Sequence, residues 1–165
     1  MQDRQAIRYI SHAEHETLAL GETLASYLVP PMTVALFGPL GSGKTVFVRG
    51  IARGLGIARV RSPSFLLMLK YEGREHALYH LDLYRLEQWE ELVHLGVLEV
   101  FEYGLVAVEW ADRILDLLPP DRIEVHLAFQ NQGRKISLLG TGPRSGQIVQ
   151  ALVDRINPRL QSRNP

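Results

Sequence analysis

Apolar residues at Leu18, Leu20, Leu24, Ala25 and Leu28 recur on one face of a 3.6-residue period. They predict an amphipathic helix over 14–28, with Ser11 in the cap region and Pro30-Pro31 as its stop. Met32 to Phe37 is almost unbroken apolar sequence and predicts a buried strand ended by Gly38-Pro39. A helix is expected over 45–55, with Gly54 and Gly56 at its end. The runs 65–71 and 76–82 flank Glu72-Gly73 and predict a hairpin. Helix-forming residues over 87–94 end at Gly96, and Leu105 to Glu109 forms a short apolar strand closed by an acid. Pro119-Pro120 separates a short helix from strands over 122–129 and 135–139, which Asn131-Gln-Gly133 joins. A final amphipathic helix is expected over 146–156. Helices alternating with short apolar strands define the α/β class, with parallel strands in the sheet.

Composition narrows the function classes. The 165 residues hold 18 basic and 18 acidic side chains, so no global field favours capture of nucleic acid or of an anionic membrane. Cysteine is absent, which excludes disulfides, thiolate zinc sites and thiol redox chemistry. The first sixteen residues are interrupted by charge, and no run reaches the ~18 apolar residues of a membrane span. A single domain over 1–165 in the cytoplasm, with no membrane contact, is the expectation.

The segment Gly38-Pro-Leu-Gly-Ser-Gly-Lys44-Thr45 is a full match to Gly-x-x-x-x-Gly-Lys-[Ser/Thr]. In a chain of this composition a chance match has odds of roughly two in a thousand. Its setting, after an apolar strand and opening a helix, is the one a phosphate-binding loop needs. Glycines let the backbone turn its N–H groups onto phosphate oxygens, and the helix N-terminus adds its positive end. Gly41, Ser42, Gly43, Lys44, Thr45 and Val46 are therefore expected to hold the nucleotide. Lys44 is expected on the β- and γ-phosphates and the Thr45 hydroxyl on Mg²⁺. The fold expected is a P-loop NTPase-type three-layer sandwich around a central, mostly parallel sheet. A dinucleotide-binding Gly-x-Gly-x-x-Gly fails at Val46, and neither Asn-Lys-x-Asp nor Asp-x-x-Gly occurs, which argues against a GTPase.

A metal in such a site needs a carboxylate from a neighbouring strand. Asp82 and Glu109 each close an apolar strand and are expected at the sheet's C-terminal edge, where α/β folds bind ligands. Ser62-Pro-Ser64 is either an ordinary turn or a segment that senses the γ-phosphate.

Five segments occur in order: Gly38 to Thr45, Ser62-Pro-Ser64, His80-Leu-Asp-Leu-Tyr-Arg-Leu86, Glu90-Glu-Leu-Val-His-Leu-Gly96 and Val108-Glu-Trp110. Together they resemble the TsaE (YjeE) family, the ATPase of bacterial tRNA threonylcarbamoyladenosine biosynthesis, over roughly residues 11–139. The resemblance implies an ATP hydrolase with Mg²⁺ on Thr45 and Glu109, and with Asp82 near the γ-phosphate or the attacking water. Lys44, Asp82 and Glu109 are its catalytic set, and Ser64, Ser11 and Arg134 are further nucleotide-binding candidates. It also implies action on a complex of TsaB and TsaD, with tRNA engaged indirectly through that complex. Two positions depart from the family pattern: Pro39 stands where Asp is usual, and Ser64 where Thr is usual.

The remaining candidates have plainer readings beside the sharper ones. His76 and His80 lack a third convincing ligand for zinc, and His80 is read as packing or as a hydrogen-bonding partner. Trp110 either stacks on a partner or fills core, and Arg85 pairs with an acid, with phosphate or only at the surface. Arg49, Arg53, Arg59 and Arg61 form a solvated face or a docking patch. Arg155, Arg159 and Arg163 are expected in a frayed C-terminal tail. The rival readings are a P-loop small-molecule kinase and a non-catalytic module that binds ATP as a signal.

Overall fold

The structure is a computed structural model that describes residues 6–63 and 65–157. Ser64, and the tail residues Arg159 and Arg163, lie outside the described residues. The centre of the molecule is the strand Met32–Phe37 (β2), whose side chains alternate between two cores. Val34 and Leu36 enter one core and Ala35 the other, as period-two geometry requires. The strand Leu105–Glu109 (β5), buried at all five positions, lies parallel to it, with Ala107 and Val108 facing opposite cores. Burial on both faces is why these strands are almost purely apolar.

Seven strands form one sheet. The others are Ala6–Ser11 (β1), Met68–Glu72 (β3), Ala77–Asp82 (β4), Ile123–Gln130 (β6) and Gly133–Gly140 (β7), in the order β1-β7-β6-β2-β5-β4-β3. The four central strands β6, β2, β5 and β4 run parallel, and the flanking pairs β1/β7, β7/β6 and β3/β4 are antiparallel. Helices Glu14–Ala25 (α1), Lys44–Gly54 (α2) and Pro143–Ile156 (α5) cover one face. Helices Glu90–His94 (α3) and Val97–Tyr103 (α4), with the 3-10 helix Ala111–Leu117, cover the other. The expected three-layer α/β sandwich with a mostly parallel centre is what forms.

Several local expectations are corrected. The local pattern does not predict strand β1, whose partner β7 lies more than a hundred residues away. Ser11 closes that strand and does not cap α1; Ala13 is the N-cap and makes no side-chain cap bond. The apolar run at 65–67 is not strand. Leu66 and Leu67 both donate backbone N–H to the Pro63 carbonyl at 2.8 Å, a tight turn that leaves Phe65 and Leu66 exposed and delays β3 to Met68. Gly96 ends α3, but with φ 71° it also starts α4, which buries Val97, Val100 and Phe101. Helix α1 ends at Ala25, short of Leu28. Helix α5 starts at Pro143, ahead of Gly146, because the Asp121 carboxylate accepts the Arg144 and Ser145 amides at 2.9 Å each.

Among the described residues no helix is long and apolar enough to cross a membrane.

Candidate active site

The loop from Gly38 to Gly43 joins the C-terminal end of β2 to α2. Gly43 is the N-cap of α2 with φ 105°, and Gly38 has φ 149°, conformations that favour glycine. A Cβ on Gly38 would also meet the Leu127 carbonyl oxygen at 2.4 Å, so the loop lies against β6. Lys44 opens the helix, whose first turn holds no acid to compete for its free amides. The Lys44 ammonium donates to the carbonyls of Gly38 (2.6 Å) and Pro39 (2.9 Å) and sits 3.9 Å above the centre of the Trp110 ring. Burial lowers its pKa, against the opposing pull of the Glu109, Asp82 and Asp112 carboxylates.

Strand register assembles the acids. Asp82 and Glu109 are paired positions of the parallel strands β4 and β5, so the two strand-end carboxylates lie side by side at the C-terminal edge. Both are buried, yet both are partnered. Thr45 Oγ1 donates to Glu109 Oε2 at 2.9 Å, and Glu109 Oε1 lies 2.8 Å from His80 Nε2. Asp82 Oδ2 accepts from Ser62 Oγ at 2.8 Å and its Oδ1 accepts from the Tyr84 amide at 3.1 Å. Ser62 of the Ser-Pro-Ser segment is thereby tied to an acid of the site.

Two hollows meet at the loop. One is lined by Lys44, Thr45, Ser62, Asp82, Glu109 and Trp110. The other is lined by Ser11, Ser42, Thr17, Gln132 and Arg134, and both share Gly41, Gly43 and Val46. Ser11 and Arg134 are register partners on β1 and β7, which brings them together at the second hollow. The Ser11 hydroxyl is engaged with the Ala13 carbonyl (2.9 Å) and Thr17 Oγ1 (2.8 Å), so it fixes the turn into α1. Arg134 donates to the Gly41 carbonyl at 3.2 Å while its guanidinium lies 4.5 Å from the Phe129 ring centre. Ser42 is buried, and its hydroxyl has no partner among the described residues.

Tyr84 is the site residue that sequence reasoning did not place, whereas His80, expected as packing or as a hydrogen-bonding partner, takes the second role, on Glu109. His80 shares the strand parity of Asp82, so period-two alternation already put both on the face that meets α2. The ring of Tyr84 packs on Trp110 with centroids 5.1 Å apart, and Trp110 takes φ 57° as it leads into the 3-10 helix.

The chain matches the family described as "Threonylcarbamoyl adenosine biosynthesis protein TsaE" over residues 11–136. The chain belongs to the TsaE family. Among its relatives is the tRNA threonylcarbamoyladenosine biosynthesis protein TsaE of Rickettsia conorii, 34% identical over 87% of this chain and 83% of that protein. The Bacillus subtilis protein of the same name is 36% identical over 83% of this chain and 87% of that protein. The crystal structure of Bacillus subtilis YdiB superposes with a TM-score of 0.79 at 28% identity, covering 95% of this chain and all of that one. In this TsaE-family chain Lys44 and Thr45 of the loop line one hollow with Asp82 and Glu109. The Thr45 hydroxyl and Glu109 carboxylate are hard oxygen donors already in contact, the donor type that Mg²⁺ takes when phosphate and water supply the rest.

Proposed function

We propose that this TsaE-family chain is a Mg²⁺-dependent ATPase that serves threonylcarbamoylation of adenosine 37 in tRNA, in the cytoplasm, by acting on a TsaB–TsaD complex. The observation that carries the reading is the Thr45–Glu109 junction, with Asp82 in register beside it, at the mouth of a complete phosphate loop. The backbone amides at 41–45 and the Lys44 ammonium bind the triphosphate, once Lys44 exchanges two carbonyls for phosphate oxygens. Mg²⁺, held by Thr45 and Glu109, would neutralise charge that builds on the phosphate oxygens. Asp82 orients a water toward the γ-phosphorus and accepts its proton. The new P–O bond forms as the bond to the β,γ-bridging oxygen breaks, leaving ADP and phosphate. His80 fixes the Glu109 carboxylate, and Ser62 fixes that of Asp82.

Nucleotide binding and phosphate release, with and without Mg²⁺, test the enzymatic part. Phosphate that appears on an added small acceptor would instead identify a kinase, and binding without turnover a signalling module. Modified-nucleoside analysis of tRNA, in cells whose only TsaE is this chain, tests the pathway. Loss of threonylcarbamoyladenosine on Lys44→Ala is expected, and retention would overturn the assignment.

A further inference from the structure

The chain segments that follow the two acids carry a charge pattern unlike the neutral whole. Residues 87–95 hold Glu87, Glu90 and Glu91 with no lysine or arginine, and residues 111–117 hold Asp112 and Asp116 against Arg113. The 3-10 helix and Trp89, the residue that precedes α3, line one groove, to which the helix contributes Asp112, Arg113, Ile114, Leu115, Asp116 and Leu117. Trp89 remains 52% exposed and Leu115 50%, although each has the apolar area of a core side chain. Val93, exposed as well, stands one helical turn beyond Trp89 and extends the strip. Arg113 donates to the Leu86 carbonyl at 3.0 Å, so the one basic side chain of the groove is committed to joining its walls.

We propose that this groove docks a basic amphipathic helix of a protein partner, laying its apolar stripe on Trp89 and Leu115 and its lysines or arginines against Asp112 and Asp116. Helix-in-groove recognition needs an apolar floor with a complementary charged rim, and both are present. An acidic rim repels the phosphates of tRNA, so RNA is the wrong occupant. The groove is also coupled to the site. Its 3-10 wall begins at the residue after Trp110, whose ring lies on Lys44, and Trp89 lies on the segment that leads from the end of β4 at Asp82 into α3. Naming TsaB–TsaD as the owner of the helix rests on the function proposed above, whereas the groove's chemistry does not.

Two titrations separate the ideas, both with the full chain. In the first, a synthetic leucine–lysine amphipathic helix is added and backbone amide NMR shifts are followed. Shifts at residues 89–95 and 111–117 are expected, with affinity falling as salt rises and lost in Leu115→Glu. In the second, purified TsaB–TsaD is added to the wild type, to Leu115→Glu, to Asp116→Lys and to Arg53→Glu as a remote control. Groove variants are expected to bind at least about tenfold more weakly, with ADP affinity unchanged in all four as the measure of folding. If TsaB–TsaD binds wild type and groove variants equally, the docking site is wrong and the functional reading stands. Where the peptide binds but TsaB–TsaD does not, the groove stands and the named partner falls. A concentration-dependent dimer that Leu115→Glu dissolves would overturn the proposal, since a second copy would then own the groove.

Discussion

Lys44 donates to the Gly38 and Pro39 carbonyls and lies over the Trp110 ring, and on the proposed reading it exchanges the two carbonyls for phosphate oxygens. Charge-assisted hydrogen bonds of this kind are each worth about 1.5–3 kcal/mol. Lys44→Ala should therefore weaken ATP binding by at least roughly tenfold, measured by fluorescent-nucleotide titration. Asp82 has a different task on the proposed reading. Asp82→Asn keeps an acceptor oxygen for the Tyr84 amide and can donate its NH2 to a rotated Ser62 hydroxyl, but no longer takes a proton. Binding should persist while phosphate release falls by about a hundredfold or more. Normal turnover in Asp82→Asn would remove Asp82 from the chemistry. His80 acts one bond further back. Its side chain is 0% exposed against 3% for Glu109, so His80→Phe leaves a buried carboxylate oxygen without its partner. The expected signature is a tenfold or greater loss in the Mg²⁺ dependence of ADP binding with Mg²⁺-free binding unchanged. Partial rescue by His80→Gln would separate positioning from packing.

At the scale of elements, α1 and α2 approach so closely that glycine is required at their crossing. A Cβ on Gly50 would meet the Leu18 carbonyl oxygen at 2.2 Å, and one on Gly21 the Phe47 carbonyl oxygen at 2.4 Å. Both obstacles are backbone, so Gly50→Ala must push the helices apart, costing about 1–3 kcal/mol. Thermal unfolding should register that as a fall in Tm of at least a few degrees. The Asp121 carboxylate shows how a remote residue sets a helix boundary. Burial raises its pKa, but bonds from Ser145 and the Arg144 amide outweigh this and hold it below the ordinary carboxylate value. A depressed folded pKa contributes stability that is present above the unfolded value of about 3.9 and is lost as pH falls through the folded one. Urea midpoints recorded between neutral pH and about 3 should therefore fall less steeply in Asp121→Asn than in the wild type. The elements that sequence reasoning recovered are those whose signal is local: β2 and β5 by unbroken burial, and the loop by its glycines and lysine. What it missed depends on pairing. Strand β1 exists because β7 accepts it, and the His80–Glu109 contact exists because β4 and β5 align in one register. The strand predicted over 65–71 begins only at Met68 because the turn built on the Pro63 carbonyl outcompetes an apolar run.

For the whole molecule, the question is whether one chain completes the chemistry. Phosphoryl transfer builds charge on the leaving oxygens, and P-loop enzymes commonly meet it with an arginine supplied in cis or by a partner. Among the described residues that line the hollow beside Asp82 and Glu109, Lys44 is the one cation. Arg85 points its guanidinium at Phe65, 4.3 Å from the ring centre, and Arg134 is engaged on the far side of the loop. Around the mouth Leu40 and Tyr84 are exposed, and the exposed Phe65 lies against Arg85 beside Tyr84, an apolar rim that water does not stabilise. A site open to solvent also gains less from each charge than a covered one. The isolated chain should therefore bind ATP but turn it over slowly, and a partner that covers the rim and brings a guanidinium should accelerate hydrolysis by roughly a thousandfold or more. Single-turnover phosphate release, with and without TsaB–TsaD, measures this directly. Equal rates would mean that the chain supplies its own second cation. Acceleration that survives replacement of every arginine on the partner's contact face would mean that exclusion of water alone accounts for it.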